Sequence, residues 1–538
     1  MESRYTIHIM PSEWRWAIFA ATALVFLAFA PFLWVAATDT GNWQFMGALH
    51  NYPDAATYIA KMVQGESGLW LIGFLHTPEP HNGALIPVIY PLLGHLARFT
   101  SLPTIVMYHV ARVGAALFMY LALYTLAASI WQRVRARRIF FAIASIGAGL
   151  GWVLGPILGV SESALWPDLQ IPEAFPFFST LVNVHFPLTL GCLALLASLM
   201  VTAFRPGADR QVEVGRLLPL AVLLTIILTF IYPQALVPLA LALVAYVVIV
   251  WWDKRRRVTG WQLRWVLAVI LPAIPMAVYY YAVVSANPAY AEWARQNVTL
   301  APPPLLLLLG LGLPLFLGVP AMFRAARRFE GADDRLMLLW IVAILLCLYL
   351  PTNIQRRFMI GMMIPVAYFA TRALEDVWLQ RVSRRYRGAF FTLLIPLIAV
   401  SQMFVLFLPV LPVVTGQLQR APGAFLERDY ALVFRWLASR TDMQDVVLAS
   451  PTVSVWAPGW AGTRVVYGHP YETLNAVGKR ARVEQWYASD GADCAALIEE
   501  FNVRYVIVGP EERKLGPAAC ADTLQPIVAL GQVSIYAP

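Results

Sequence analysis

The chain has 538 residues, of which 59% are hydrophobic and only 13% are charged, whereas about 25% of residues are charged in an average soluble protein. With a mean hydropathy of +0.63, this composition excludes a soluble enzyme, a disordered chain and a coiled coil, and it predicts many membrane-spanning helices. The four cysteines include no pair at CxxC spacing, so a disulfide scaffold and a cysteine-bound metal are not expected.

Eleven apolar stretches have the length of a membrane-spanning helix. In chain order they are residues 14–36, 104–130, 139–158, 180–204, 217–232, 234–252, 265–285, 304–323, 336–351, 358–373 and 388–412. The first stretch is longer than the apolar part of a cleaved signal peptide, so we expect it to remain as the first helix. A twelfth candidate, 83–100, contains two prolines, a histidine and an arginine, which are costly in hydrocarbon. We expect that segment to form a helix at the membrane interface.

Charge placement predicts the orientation. If 83–100 does not cross, the N-terminus and the even-numbered loops lie on one side, and together they contain 23 of the 40 Lys and Arg residues but only 10 of the 31 acidic residues. Because basic loops stay in the cytoplasm, we expect a multi-pass protein of the plasma (inner) membrane with a cytoplasmic N-terminus. The basic excess is then a topology feature, and nucleic acid is not expected as a partner.

The composition changes after about residue 415. Alternating apolar runs at 445–450, 463–468, 503–509 and 532–536 predict strands, and 423–439 and 491–501 have helical character. We therefore predict a mainly α polytopic membrane domain at 1–415, with a first outer loop at 37–103, and a small extracytoplasmic α/β domain at 416–538. Cys494 and Cys520 both fall in this tail, either as a disulfide or as two buried thiols.

The first outer loop carries the first group of candidate residues, which are Asp54, His76, Glu79 and His81. Asp54 opens an amphipathic helix, where it is either an N-terminal cap after Pro53 or a general base for an acceptor hydroxyl or amine. Glu79 stands between two prolines, as an exposed carboxylate or as a second base, a metal ligand or a hydrogen-bond acceptor for substrate. The two histidines have either a structural role or a place at the rim of a substrate site.

The second outer loop, 159–179, is acidic and rich in aromatic residues, with Glu162, Asp168 and Glu173 and no basic residue. Such a loop is either a topology marker or the rim of a site for a sugar or a lipid, because aromatic faces pack against the apolar faces of both. His185 follows inside the next predicted span, where it indicates a functional cavity or a packed, hydrogen-bonded ring.

The third group is basic. Arg356 and Arg357 in the motif PTNIQRRF (351–358) lie between the ninth and tenth predicted spans, on the outer side. They run against the expected charge pattern, so an anion is needed to explain them. Arginine pairs bind phosphate oxygens well; the alternatives are contacts with lipid headgroups or with acids of the outer loops. Arg112, near the outer start of the second span, is a candidate for the same anion.

The order of these features resembles the GT-C superfamily of membrane glycosyltransferases. The segment HNGALIPVIYPLLGHLARFTSLPTIVMYHVAR (81–112) is similar to the helix and the Arg-bearing span that follow the catalytic loop in protein mannosyltransferase-like and aminoarabinose-transferase-like members. The resemblance covers residues 10–412, and YGHPYETLNAVGKR (467–480) is similar to the extracytoplasmic ends of bacterial members. It implies Asp54 as the catalytic base, Glu79 as the second loop carboxylate, and Arg356 with Arg357 as binders of the donor phosphate.

The resemblance also implies a reaction. A sugar would be transferred, with inversion, from a polyprenyl-phosphate-linked donor to an extracytoplasmic lipid, glycan or protein, in contact with membrane lipids. The chain departs from many members because Ala55, rather than a second acid, follows Asp54, and no DxD motif occurs. No residue is therefore assigned to a metal, and a divalent metal ion stays open as a cofactor. The alternatives to a transferase are a secondary transporter or lipid flippase, and a non-catalytic membrane assembly subunit.

Overall fold

The structure is a computed structural model that describes residues 9–161, 165–205, 215–252, 260–329, 331–491 and 494–538. Glu162 and parts of two basic loops, 206–214 and 253–259, lie outside the described residues. The protein is mainly α-helical, as the sequence predicts, with a small sheet near its C-terminal end.

Nine helices among the described residues are long and apolar enough to cross a membrane. They are Pro11–Ala37, Thr104–Ile130, Val134–Leu158, His185–Phe204, Pro233–Trp252, Gly260–Ala286, Pro304–Arg328, Gln355–Arg381 and Arg384–Val414. The predicted spans 217–232 and 336–351 correspond to shorter helices, Leu218–Ile231 and Ala332–Leu348. Helices of this length rise about 21–26 Å, less than the roughly 30 Å of hydrocarbon in a bilayer. The protein is therefore a multi-pass membrane protein in which nine of the eleven predicted spans have the full length.

The chain divides into two compact units. The first comprises Met1–Phe29, Arg112–Tyr279 and Thr299–Leu408. Glycines allow close backbone contact in it, since a Cβ on Gly149 would lie 2.2 Å from the carbonyl oxygen of Gly310. The predicted span 180–204 is broken, because the helix Pro176–Val182 ends before the extended residue Asn183 and the next helix starts at His185.

The second unit comprises Ala30–Ala111, Tyr280–Val298 and Pro409–Pro538. The first outer loop therefore groups with the tail, whereas the sequence placed that loop in the domain 1–415. The helices of this unit that have at least seven residues are Tyr52–Glu66, Ile89–Thr100, Pro288–Gln296, Arg428–Ala438, Ala476–Ala488 and Cys494–Glu500. The first of these, Tyr52–Glu66, is called the loop helix below.

The loop helix packs directly against the helix Ile89–Thr100. A Cβ on Gly65 would lie 2.3 Å from the carbonyl oxygen of Pro91, and one on Gly94 would lie 2.0 Å from that of Met62. Only glycine permits such an approach of two backbones. The helix Ile89–Thr100 has 12 residues and rises about 18 Å, too little to cross a bilayer, which agrees with the prediction that 83–100 does not span.

Two strands join the start of the first outer loop to the start of the tail. β1 (Trp43–Phe45) pairs antiparallel with β2 (Phe425–Glu427), with Gln44 opposite Leu426. Aromatic and aliphatic side chains, among them Val35 and Val410, form a small core around this pair. This pairing holds the start of the tail next to the start of the first outer loop.

The tail contains a five-stranded sheet in the order β4-β3-β5-β7-β6. Its strands are β3 (Val446–Leu448), β4 (Arg464–Val465), β5 (Val503–Val508), β6 (Gln525–Leu530) and β7 (Val533–Ala537). β3 pairs parallel with β4 and β5, and β7 pairs antiparallel with β5 and β6. The sequence predicted four of these strands but missed β6, whose residues are mostly exposed.

Cys494 and Cys520 form a disulfide beside the core of this sheet. Cys520 is fully buried among the core residues. Of the two alternatives left open by the sequence, the disulfide is therefore the one present in the structure. Cys192 and Cys347 are buried free thiols.

Candidate active site

The loop helix places Asp54 in its first turn. Asn51 is the N-cap, with a left-handed backbone at φ 46°, and Pro53 occupies the second helical position, where a proline costs no helical hydrogen bond. The interpretation of Asp54 as the N-terminal cap is therefore wrong. Its carboxylate still lies at the positive end of the helix dipole, which favours a negative charge there.

Both oxygens of Asp54 accept hydrogen bonds from neutral donors. Oδ2 accepts from the side-chain amide of Asn51 at 2.5 Å, and Oδ1 accepts from Nε2 of His469 at 3.2 Å. The side chain of Asp54 is 34% exposed, whereas that of His469 is only 4% exposed. A buried imidazole thus holds a carboxylate that remains open to an incoming group.

The protonation of His469 follows from its other nitrogen. Nδ1 accepts the backbone N–H groups of Tyr471 and Glu472 at 3.2 and 3.3 Å, so Nδ1 carries no proton. The ring proton then lies on Nε2 and is donated to Asp54. The turn 469–472 thereby selects the tautomer that orients the carboxylate.

An ion pair fastens the same turn to the loop helix two helical turns beyond Asp54. Lys61 donates to Glu472, and both side chains are buried. Burial is the largest single effect on the Glu472 carboxyl and raises its pKa, but the Lys61 ammonium and the neighbouring His76 and His469 rings together hold the pKa well below its usual range. Glu472 is therefore ionised, with Lys61 as its counter-ion.

His76 lies beside this pair and is fully buried. Its Nε2 donates to the carbonyl oxygen of Val455 at 3.0 Å, while Nδ1 faces Glu472 at 3.7 Å. Burial lowers the pKa of the His76 ring, which is neutral. His76 is thus part of the buried support of the loop, and its place at a substrate rim stays a prediction.

Glu79 is paired with a cation of the tail. Lys479 donates to its Oε1, and the Thr77 hydroxyl donates to Oε2 at 2.5 Å. Burial lowers the pKa of Lys479, although Glu79 acts in the opposite direction. The Glu79 side chain is 39% exposed, which agrees with the interpretation as an exposed loop carboxylate, but its charge is balanced by Lys479; a role as second base stays a prediction.

The rest of the TPEP loop is fixed through its main chain. Arg464 of β4 is buried and donates to the carbonyl oxygens of Phe74, Thr77 and Glu79 at 3.1–3.3 Å. His81 accepts from the Phe74 N–H through Nε2 and donates to the Glu79 carbonyl through Nδ1, both at 2.9 Å. With both ring nitrogens used in the loop, His81 supports the backbone around Glu79; its assignment to the substrate rim is not supported by these contacts.

Asp168 and Glu173 of the second outer loop are buried in the first unit. Asp168 accepts from the Gly151 N–H at 2.8 Å and from the Ser401 hydroxyl at 2.6 Å. Glu173 is also buried and accepts from Nε of Arg356 at 3.1 Å. The expectation of an exposed acidic rim is therefore wrong for these two residues, which hold segments of their own unit together.

The arginines differ in what they contact. Arg356 pairs with Glu173, which is the loop-acid alternative for this residue, although its side chain remains 29% exposed. The neighbouring Arg357 is half-buried, and no acidic partner for it is found in the described part of the chain. Arg112 is buried and donates to the carbonyl oxygens of Thr180 and Leu181 at 2.8 and 2.7 Å. Arg112 thus has a structural role, and Arg357 remains the best candidate for an anion.

His185 begins the helix His185–Phe204 and does not lie well inside it, contrary to prediction. Its ring is nearly parallel to that of Tyr232, with the centroids 5.7 Å apart. These contacts support the packing alternative for His185.

Sequence reasoning missed His469, Glu472 and Lys479 as site residues. All three belong to YGHPYETLNAVGKR (467–480), called the tail segment below. A histidine, a glutamate and a lysine close together in an aromatic stretch are a signal for a functional site. Their partners, however, lie in the loop helix and the TPEP loop, about 400 residues earlier in the chain, so the sequence does not show what they contact. Asp54 and Glu79 are therefore both held by the tail segment, within the second unit.

The described residues offer no evident set of ligands for a divalent metal ion. No group of three or more His, Cys, Asp or Glu side chains converges within the residues described. Magnesium and manganese need several oxygen ligands, whereas Glu79 is paired with a lysine and Asp54 accepts from two neutral donors.

Solved structures reveal which fold this is. The chain is similar to ArnT from Cupriavidus metallidurans bound to undecaprenyl phosphate, with 14% identity, a TM-score of 0.55 and 98% of each chain covered. Apo ArnT gives 12% identity and a TM-score of 0.51 over 98% of each chain. The apo oligosaccharyltransferase of Archaeoglobus fulgidus gives 12% identity and 0.50, over 92% of this chain and 69% of that one. The chain has a GT-C-like fold.

No protein-family profile and no curated protein matches the sequence. At 12–14% identity, the likeness establishes the GT-C-like fold, and the chemistry has to be argued from the residues of this chain. The resemblance stated from short motifs at the first outer loop is thus confirmed at the level of fold.

Proposed function

We propose that the chain is a membrane glycosyltransferase that moves a sugar from a polyprenyl-phosphate donor to an acceptor outside the cytoplasm, with Asp54 as the general base. The observation that carries this proposal is the Asp54 carboxylate, which is one-third exposed and held through both oxygens in a chain with a GT-C-like fold. The oligosaccharyltransferase of Archaeoglobus fulgidus, whose structure is similar, supports the reaction class.

Two features support the orientation. Positive loop charge predicts that the first outer loop and the tail lie outside the cytoplasm. The tail also contains the Cys494–Cys520 disulfide, and disulfides persist in oxidising compartments. Because Asp54 and His469 are hydrogen-bonded, the loop helix lies on the same side as this disulfide.

In the proposed reaction Asp54 removes the proton from the acceptor hydroxyl or amine. The oxygen or nitrogen then attacks the anomeric carbon of the donor, its bond to the phosphate oxygen breaks, and the polyprenyl phosphate leaves with the electron pair. A positioned base contributes about 10²–10⁴ in rate. His469 and Asn51 hold the carboxylate while leaving oxygen lone pairs for the incoming proton.

The leaving phosphate needs positive charge. Arg357 is half-buried and has no acidic partner among the described residues, whereas Nε of the adjacent Arg356 is taken by Glu173. We assign the donor phosphate to Arg357, with Arg356 as a second, weaker contact. The similar structure of ArnT has undecaprenyl phosphate bound, which supports a lipid phosphate as the ligand class.

The test uses the purified chain in detergent with a panel of undecaprenyl-phosphate-linked sugars and a cell-envelope extract as acceptor. Released undecaprenyl phosphate and transferred sugar are measured by mass spectrometry. A transporter or a flippase would release no undecaprenyl phosphate from any donor.

The decisive variant is Asp54→Asn, which keeps the shape of the side chain but removes the base. Turnover should fall at least about 100-fold, while expression and membrane insertion stay normal. Asp39→Asn is the matched control, since Asp39 is 87% exposed and should leave turnover unchanged. Wild-type turnover in Asp54→Asn would remove Asp54 as the base.

A further inference from the structure

Two adjoining cavities lie where two apolar helices of the first unit begin, in a region to which the proposed transfer assigns no role. One has a volume of about 530 Å³ and the other about 770 Å³, and they share Val134, Arg135 and Arg387. Val134 starts the helix Val134–Ile146, and Arg387 starts the helix Arg387–Phe407.

The wall of the cavities is strongly basic. Five arginines line them, namely Arg133, Arg135, Arg138, Arg384 and Arg387. The carboxylate of Glu375 neutralises only part of this positive charge. It forms a bidentate pair with Arg135 at 2.7 Å and a longer contact with Arg133 at 3.6 Å. A surplus of positive charge in a recess attracts an anion.

The arginines are not equally available. Arg138 lies over the ring of Trp16 at 4.7 Å, and Arg387 donates to carbonyl oxygens of its own loop. Arg133 is 78% exposed. Arg384 is exposed, and no hydrogen bond or ion pair of its side chain is found among the described residues. Arg133 and Arg384 are therefore the guanidinium groups that a ligand can reach.

The smaller cavity continues as an apolar groove. Ile139 and Ala142 from one helix face Phe391 and Ile395 from the other. On the second helix, Phe391 and Ile395 lie one and two turns beyond Arg387, which lines the arginine-rich end of the cavities, here called the mouth. The groove therefore runs about 12 Å along this helix. Both helices belong to segments long enough to cross a membrane, and the groove therefore lies along the hydrocarbon.

The helix termini add to the field at the mouth. Neither Val134–Ile146 nor Arg387–Phe407 has a side-chain cap at its N-terminus, so their first-turn N–H groups and positive dipole ends are not satisfied by a capping side chain. The mouth of the cavities thus combines two positive helix N-termini and five arginines with a single carboxylate, Glu375. This arrangement suits a phosphate group, and the adjoining groove suits a hydrocarbon chain.

We propose that these cavities form a binding site for an anionic phospholipid, with its phosphate at Arg133 and Arg384 and an acyl chain in the groove lined by Ala142 and Phe391. The site takes a phosphodiester headgroup that carries no compensating positive charge, such as phosphatidylglycerol. A zwitterionic headgroup brings a cation into the arginine cluster and is disfavoured. A free phosphate ion would use the mouth alone and leave the groove unexplained.

The test is native mass spectrometry of the purified chain in detergent, titrated with phosphatidylglycerol or phosphatidylcholine. Phosphatidylglycerol should bind at least about tenfold more tightly. Arg133→Ala with Arg384→Ala should weaken it about 25-fold, at about fivefold for each arginine. Arg327→Ala with Arg328→Ala removes the same charge from another basic segment and should change the affinity less than about twofold.

The groove is tested separately. Gly388 lines the smaller cavity, and a Cβ there meets no atom within 4 Å, so Gly388→Leu introduces an apolar side chain into this space. It should abolish the phosphatidylglycerol adduct, whereas Gly114→Leu, at an equally open glycine, should leave it unchanged. Equal affinity for both lipids, or equal loss in both arginine pairs, would overturn the proposal. Displacement of phosphatidylglycerol by excess inorganic phosphate would identify a free-ion site instead.

Discussion

Replacing Lys61 by methionine removes the only cation paired with Glu472 in the described structure while keeping most of the apolar stem of the side chain. Glu472 is then a carboxylate with a side chain 10% exposed and no counter-ion. Removing one partner of a buried ion pair costs about 3–5 kcal/mol. In a cooperative unit of about 200 residues this corresponds to a melting temperature lower by about 6–20 °C.

His76 gives this prediction a pH signature. Its Nδ1 faces Glu472 at 3.7 Å without a hydrogen bond, so in Lys61→Met the ring can take up a proton and replace the lost cation. The pKa of His76 is then raised, and the stability it restores is present at low pH and lost as the pH rises. We expect the deficit to be smaller at about pH 6 than at about pH 8.

The assay is thermal unfolding of the purified protein in detergent, followed by tryptophan fluorescence at several pH values. In the wild type, the pKa of Glu472 is depressed, so its contribution is present at neutral pH and is lost as the pH falls below the usual carboxyl range. Lys61→Met combined with Glu472→Leu removes both charges and should recover most of the loss. A melting temperature equal to wild type in the single variant, or a double variant no more stable than the single one, would refute the reasoning.

The remaining predictions concern the site and the tail. His469→Gln should lower turnover by about 10–100-fold with little change in donor affinity, because a charge-assisted hydrogen bond worth about 1.5–3 kcal/mol is lost; initial-rate kinetics check this, and an unchanged kcat would contradict it. Arg357→Ala should weaken binding of undecaprenyl phosphate more than Arg356→Ala does, measured by native mass spectrometry; equal losses would indicate a structural role for both. Cys494→Ser with Cys520→Ser opens a loop of 26 residues and should cost about 3–4 kcal/mol, seen as a lower melting temperature that matches the wild type under reducing conditions.

The sequence predicts what depends on local pattern. Among the residues that the structure describes, apolar length identified all nine full-length helices, and period-two alternation identified four of the five tail strands. Ala476–Ala488 was missed because its apolar residues do not gather on one face. Position alone suggested Asp54 as a cap, but the left-handed turn at Asn51 starts the helix earlier.

The sequence does not predict pairings between distant segments. Glu79 read by itself is a loop carboxylate, and only the fold brings Lys479 to it. Asp168 and Glu173 read as an exposed acidic rim, yet both are buried against partners supplied by later segments. Such contacts need tertiary structure, because a charged side chain does not specify in sequence which opposite charge it will meet.

The hydrogen bond between Asp54 and His469 links residues 415 positions apart, and this separation has a consequence for biosynthesis. The ribosome completes the loop helix early, while the residues that orient its carboxylate are translated in the last seventh of the chain. A nascent chain whose helices are already inserted in the membrane therefore has no oriented Asp54 carboxylate until the tail has been synthesised and folded. Truncation just after the final apolar helix would leave a polypeptide that is correctly inserted in the membrane but has no glycosyl-transfer activity.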